Sequence, residues 1–138
     1  MGRVLGLDYG DKRIGVALSD PTRFLASPHT MIERGADDAE VTRRIMEICA
    51  DKEVDLIVLG LPLNMNGTRG PAVEKAMAFK ERLHTALPEM PIKTWDERLS
   101  TVSAQRVLID AGESRKRRKG LVDKIAAQFI LQNWLDAQ

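Results

Sequence analysis

The sequence predicts an α/β fold, a mixed five-stranded sheet with helices on its faces. Three observations predict it. The chain opens on a hairpin, in which Val4, Leu5 and Leu7 precede a Gly10-Asp11 turn and Ile14, Val16 and Leu18 then alternate with Gly15, Ala17 and Ser19. The continuous apolar run Asp55-Leu56-Ile57-Val58-Leu59-Gly60 marks a strand buried on both faces, hence a central, parallel one. Segments of helical periodicity flank that run, as βαβ crossovers require.

Taken in order, the first strand ends on Asp8 and the second begins near Ile14. Residues 23–32 are weakly strand-like, and Pro28 within them suits a sheet edge. Asp37-Asp38-Ala39-Glu40 has the make-up of a helix start, with Glu40 three positions after Asp37. Val41, Ile45, Ile48 and Cys49 then repeat at helical spacing to about Lys52. Beyond the central strand, residues 61–71 form a loop ending in Pro71, which suits the first turn of a helix. Val73, Ala76, Met77, Leu83 and Leu87 lie near one face of that helix, which stops before Pro88. Residues 92–95 are a short fifth strand that delivers Asp96-Glu97-Arg98 at its C-terminal end. Ser100 and Thr101 cap a helix that runs to about Ala111, with Gly112 as its stop. Residues 113–120 are a polar, basic connector, and 121–135 a final helix that is apolar on most sides. The order is β-β-β-α-β-α-β-α-α, in one domain spanning residues 1–138.

Composition bounds the function. The 138 residues suit one domain with one sizeable core; 43% are hydrophobic and 30% charged, as in an ordinary soluble protein. A formal net charge of +1 excludes a strongly basic protein and leaves local patches to decide what it binds. No apolar run approaches the roughly 18–20 residues of a membrane span, and the N-terminus enters a strand without a signal-peptide pattern, so the cytoplasm is expected and no membrane partner is. The lone cysteine, Cys49, has no internal disulfide partner and falls on an apolar helix face, the setting of a buried, inert thiol.

Three acids fall at element ends. Asp8 closes an apolar strand, where a carboxylate has no hydrophobic reason to stand, and Lys12 and Arg13 follow within the hairpin. A carboxylate, flexible glycines and cations suit a metal ion bound to a phosphate. The same residues also make a plain turn, with Lys12 paired to Asp11 on the surface. With strand four between strands one and five, Asp8 and Glu97 lie two strand spacings apart, roughly 9–10 Å. Two divalent ions about 3.5–4 Å apart, each bound at about 2 Å, fill such a gap. That spacing suits equally well acids that never meet, and a helix dipole alone accounts for Asp123 in the first turn of the last helix.

The chain resembles the YqgF/RuvX family, whose members are described as Holliday-junction resolvases and as nucleases for the precursor of 16S ribosomal RNA. The resemblance rests on Gly6-Leu7-Asp8-Tyr9-Gly10 with Lys12-Arg13-Ile14-Gly15-Val16-Ala17; on Gly60-Leu61-Pro62-Leu63-Asn64-Met65-Asn66-Gly67-Thr68; on Asp96-Glu97-Arg98-Leu99-Ser100-Thr101; and on Lys119, Val122-Asp123-Lys124 and Ala126-Ala127. These motifs occur in one order across almost the whole chain. The resemblance implies a ribonuclease H-like fold, in agreement with the order read from the residues. It also implies that Asp8, Glu97 and Asp123 are the metal-binding, catalytic acids. Many ribonuclease H-like sites carry a fourth carboxylate; the end of strand four has Gly60 and Pro62 instead, which leaves one or two metals open and Asp96 as a further candidate.

The expected activity is phosphodiester hydrolysis, endo- or exonucleolytic, assisted by Mg²⁺ or Mn²⁺. The metals activate water and neutralise the phosphate, so no protein general base is needed, and both histidines, His29 and His84, stand outside the motifs. Lys12, Arg13 and Arg98 are candidates to grip phosphates. Asn64, Asn66 and Thr68 stand in a loop beyond the central strand, where open α/β sheets bind ligands, and can hydrogen-bond backbone or sugar. The run Arg115-Lys116-Arg117-Arg118-Lys119 reads as a flexible polyanion-binding segment, with Arg115, Arg117, Arg118 and Lys119 on substrate, against the plainer reading of a solvated loop. Tyr9 is placed to stack on a base or sugar. With few aromatic residues, recognition of backbone and shape is expected in place of single-strand readout.

The expected substrate is the 5′ end of the 16S ribosomal RNA precursor, with structured RNA or branched DNA as the nucleic-acid partner. Two alternatives stand beside it: a Holliday-junction resolvase in DNA recombination, and a non-catalytic RNA-binding factor in ribosome assembly. A resolvase cuts two strands symmetrically and so favours a homodimer, for which the last helix or the helix from Pro71 offers a surface. The first hairpin also resembles the phosphate hairpin of actin-like and sugar-kinase ATPases, but those close two such domains on a nucleotide, and no Walker-type Gly-Lys-Ser/Thr loop is present.

Overall fold

The computed structural model describes residues 2–35, 38–64, 66–96 and 115–138, the side chains of 115–124 excepted. Its elements are β1 (Arg3–Tyr9), β2 (Arg13–Ser19), β3 (Ala26–Glu33), α1 (Ala39–Asp51), β4 (Val54–Leu61), α2 (Pro71–Ala86), β5 (Ile92–Asp96) and α3 (Arg115–Asp136). The strands form one sheet in the order β3-β2-β1-β4-β5. β1 and β3 pair antiparallel with β2, while β1–β4 and β4–β5 are parallel. The meander followed by crossovers is therefore as the alternation implied, with β1 at the centre, β4 interior between β1 and β5, and β3 at an edge. Pro28 is accommodated there, beside a register shift between Val16 and Ala17. The helix expected over 100–111 lies outside the described residues.

Strand alternation sends neighbouring residues to different layers. Leu5, Leu7, Ile14, Val16, Ile57 and Leu59 pack beneath Val41, Ile45 and Cys49 of α1 and Ala76, Phe79 and Leu83 of α2. Burial pushes the Cys49 thiol up to about 11, which fits the inert role expected of it. On the other face, Val4, Ala17 and Val58 pack against Ala127, Ile130, Leu131 and Leu135 of α3. The covering of both faces of β4 explains why its sequence is apolar without alternation.

α3 lies directly on β1. A Cβ at Gly6 would come within 2.8 Å of Leu131 Cβ and 3.2 Å of the Ala127 carbonyl oxygen, so the helix approaches as closely as a bare backbone permits. Gln132 Nε2 donates to the Phe24 carbonyl at 2.9 Å and Gln128 Nε2 to that of Ala26 at 3.1 Å. Going toward the N-terminus of α3 thus means moving up β3, which runs in the same direction as β1. The early turns of α3 therefore lie toward the C-terminal end of β1.

One expectation is corrected here. The segment 115–120, read as a basic connector, is the opening of α3, which begins at Arg115 instead of near Leu121. Lysine and arginine are good helix formers, and the single Gly120 costs only about 1 kcal/mol in a helix interior. Asp123 consequently stands beyond the first turn, where the helix dipole no longer accounts for it.

Candidate nuclease site

The β1–β2 hairpin brings the first acid to the sheet edge. Val4 and Gly6 face α3, so alternation puts Asp8, half-buried, on the α3 side near the end of β1. It pairs with Gly15 on β2. On β4 the position level with it, one beyond the Leu7–Leu59 pair, is Gly60. Asp8 is thus flanked on both neighbouring strands by residues without side chains. The carboxylate thus stands between two bare backbone positions, a glycine-flanked cradle. Gly60, which stands where a fourth acid was sought, is half of this cradle.

The other candidate residues gather at the same end of the sheet or fall beyond what is described. Lys12 is exposed at the hairpin tip, and Arg13 opens β2 on the Gly15 face. Glu97 and Arg98 lie outside the described residues, immediately after β5. Asp96 is in register with Leu61, which packs in the α1/α2 core; that register puts Asp96 on the face opposite Asp8. Asp123 is one helical turn before Ala127, toward the end of the sheet that carries Asp8. Arg115, Arg117, Arg118 and Lys119 occupy the first turns of α3. Among the described residues no three His, Cys, Asp or Glu side chains are grouped as a metal site.

The loop after β4 is knitted to itself. Gly67, at φ 84°, closes a turn onto the Asn64 carbonyl at 2.8 Å. Asn64 Nδ2 donates to Thr68 Oγ1 at 3.0 Å, and Thr68 Oγ1 to Asn66 Oδ1 at 2.7 Å. Asn64, Asn66 and Thr68 therefore shape the loop first, and remain exposed along it.

A second cluster was not legible as a unit. Tyr9 alternates away from Asp8 into the other layer, where its ring stacks on Phe79 at 4.4 Å and lies under the Arg34 guanidinium at 4.5 Å. Its hydroxyl donates to Asp38 Oδ2 at 2.7 Å. This corrects the expectation that Tyr9 is free to stack on a base. Asp38 flanks α1 but makes no side-chain cap; its carboxylate, 8% exposed, accepts from Arg34 Nε at 3.1 Å and from Arg82 at 2.5 Å. Arg34 also donates to the carbonyls of Gly10 at 2.9 Å and Asp11 at 3.0 Å, clamping the hairpin next to Asp8. Burial pushes the Asp38 carboxyl up, but the hydrogen bonds from Tyr9 and Arg34 and the charges of Arg34 and Arg82 outweigh it and hold it below the usual carboxylate range. The same burial and the Asp38 carboxylate push the Tyr9 hydroxyl up.

A carboxyl whose folded value is depressed contributes stability above its unfolded value, near 4, and loses it as pH falls through the folded one. Asp38→Asn is therefore expected to cost about 1–2 kcal/mol at pH 7, discounted from the cost of breaking a buried pair because Arg82 is half exposed. The gap between wild type and variant should narrow as pH falls from about 5 to 3. Urea midpoints at both pH values check it; a constant gap would remove the charge from the account.

Comparison with known proteins places the chain in a family and supports its fold. A profile of the RuvX family, described as Holliday junction resolvase, matches residues 2–137. A relative from Syntrophomonas wolfei named "Putative pre-16S rRNA nuclease" is 50% identical over 134 residues, 97% of this chain and 94% of its own length. One of the same name from Thermoanaerobacter pseudethanolicus is 50% identical over 137 residues, covering 99% and 97%. Among solved structures, RuvC of T. thermophilus in complex with Holliday junction substrate superposes with a TM-score of 0.62 at 14% identity, over 99% of this chain and 95% of that one. The yeast mitochondrial Holliday junction resolvase Ydc2 gives 0.55 at 14% identity, covering 97% and 78%. The structural likenesses establish the ribonuclease H-like, resolvase-type fold, and the near full-length match at half identity settles the lineage: this chain belongs to the RuvX family.

Proposed function

We propose that this protein is a divalent-metal-dependent nuclease, a single ribonuclease H-like domain whose substrate is the precursor of 16S ribosomal RNA. The observation that carries the reading is Asp8 in its glycine-flanked cradle, at the end of the sheet toward which the basic first turns of α3 point. The names of the half-identical relatives support the substrate. Asp8, Glu97 and Asp123 would hold Mg²⁺ or Mn²⁺, and the all-oxygen chemistry of this set suits those ions. When bound, the metal supplies an activated water and neutralises phosphate charge.

The chain's own residues do the rest. The bare backbones at Gly15 and Gly60 let a phosphodiester come close to Asp8. Lys12 at the hairpin tip, with Arg13 and Arg98, meets its oxygens as charge-assisted donors. The loop of Asn64, Asn66 and Thr68, stiffened by its own hydrogen bonds, offers polar groups to sugar or backbone without losing much freedom on binding. Arg115, Arg117, Arg118 and Lys119 draw in the polyanion. Their backbone is the opening of α3.

A second reading, junction resolution, is favoured by the family description. Labelled 16S precursor and a four-way DNA junction should be incubated side by side with Mg²⁺, Mn²⁺ or EDTA. The expected result is cutting of the RNA that EDTA abolishes. Symmetric, metal-dependent cutting of the junction alone would move the function to recombination. RNA binding with no cutting under any metal would leave a ribosome-assembly factor.

A further inference from the structure

The cluster around Asp38 borders an open cleft of about 620 Å³ on the α1/α2 side of the hairpin. It opens beside the same hairpin as the Asp8 cradle, because Tyr9 and Asp8 are successive residues of β1 on opposite faces. Arg34, Lys75 and Arg82 line it, against the carboxylates of Asp11 and Asp38. The balance is one positive charge, and its arrangement favours anions more than the sum implies. Asp38 lies behind the two guanidiniums that share it, whereas the Arg82 side chain is 46% exposed and that of Lys75 is 63% exposed. Arg82 meets Asp38 and Tyr9 through one terminal nitrogen, Nη2, which leaves its Nε and Nη1 edge without a bond among the described residues. Lys75 has one loose pairing, 3.7 Å from Asp11, which is itself 86% exposed.

A guanidinium held rigid by a carboxylate, with its other edge free, is pre-organised to take a phosphate. The stacked Tyr9–Phe79 pair behind it keeps Arg82 from collapsing, its guanidinium lying 5.7 Å from the Phe79 ring. We propose that this cleft is a second phosphate-binding subsite, which takes the nucleic-acid backbone where it leaves the Asp8 cradle and passes over the hairpin tip at Lys12. The proposal rests on the nuclease reading above. It adds a contact on the far side of the hairpin, through Lys75 and Arg82, and makes the hairpin a ridge that the strand straddles.

The test places a charge in the cleft without touching the clamp. Ala78 lines the cleft from an exposed position of α2, so Ala78→Glu and the neutral Ala78→Gln should both fold. Thr85→Glu, also exposed and about two turns further along α2, puts the same charge outside the cleft. Labelled 16S precursor fragment and four-way junction are titrated in EDTA across a salt series. Ala78→Glu is expected to weaken binding of the preferred nucleic acid about 5- to 10-fold at low salt and to reduce the salt slope by about 1, with Ala78→Gln and Thr85→Glu near wild type. Equal weakening by Ala78→Glu and Thr85→Glu would reduce the effect to long-range charge and overturn the subsite, as would an unchanged Ala78→Glu. Wild-type protein that bound neither probe would remove the nuclease reading itself, and the subsite with it. Binding that is intact in wild type and indifferent to Ala78→Glu would sink the subsite alone.

Discussion

Replacing Asp8 with asparagine is expected to lower metal-dependent cleavage about 10³-fold, because several kcal/mol of charge stabilisation depend on the metal it holds and each 1.4 kcal/mol is tenfold in rate. Asparagine keeps the shape and one oxygen but loses the charge that a hard divalent cation needs. The fold should survive. Asp8 belongs to neither hydrophobic core, and level with it on the neighbouring strands stand Gly15 and Gly60. Thermal unfolding is expected within about 2–4 °C of wild type, the shift that about 1 kcal/mol produces in a chain of this size. Cleavage retained at more than a tenth of wild type, in protein that melts normally, would take Asp8 out of the mechanism. Asp96→Asn makes a companion variant. Its register sets it on the opposite face from Asp8, and cleavage should be nearly unchanged.

The second large effect is expected at Gly6. A Cβ there meets Leu131 Cβ at 2.8 Å, closer than packed carbons approach, and β1 and α3 are both long elements pinned elsewhere. Gly6→Val adds two further methyl groups, and relief requires α3 to lift off the sheet. Overpacking of this kind costs about 3 kcal/mol, which corresponds to roughly 10 °C in melting temperature. Because the displaced helix is the one that carries Asp123, cleavage should fall further than the unfolded fraction explains, measured well below the melting temperature. Leu131→Ala should give no rescue, since the atom in conflict is the Cβ that alanine retains. A Gly6→Val protein with normal melting and normal cleavage would show that α3 does not rest on β1 in this way.

Much of this architecture can be read from the sequence because its signals are local. Alternation in residues 14–19 gives β2, the unbroken apolar run gives an interior β4, and Pro28 marks an edge. Asp8 is legible for the same reason, as a charge at the end of an apolar strand. The cluster at Tyr9 was not, because its members come from three separate stretches of the chain and no local pattern links them. Asp38 read as part of a helix start and Tyr9 as an aromatic facing substrate, while Arg82 carried no local signal at all; Tyr9 and Arg82 are 73 positions apart. The start of α3 was misread because a dense run of cations resembles a solvated loop, although nothing in lysine or arginine opposes a helix.

The placement of Tyr9 has a consequence for folding fidelity. In a β-strand a slip of one residue exchanges the two faces, so a misregistered β1 would thrust the Asp8 carboxylate against Phe79 and turn a phenol ring into the glycine cradle. Both errors are expensive, the first because it desolvates a charge beside an aromatic ring. The native register alone satisfies the Tyr9 hydroxyl with Asp38 while keeping the acid on the α3 side. Tyr9 therefore acts as an alignment pin, and correct strand pairing in β1 and a correctly aimed Asp8 become a single event during assembly of the sheet.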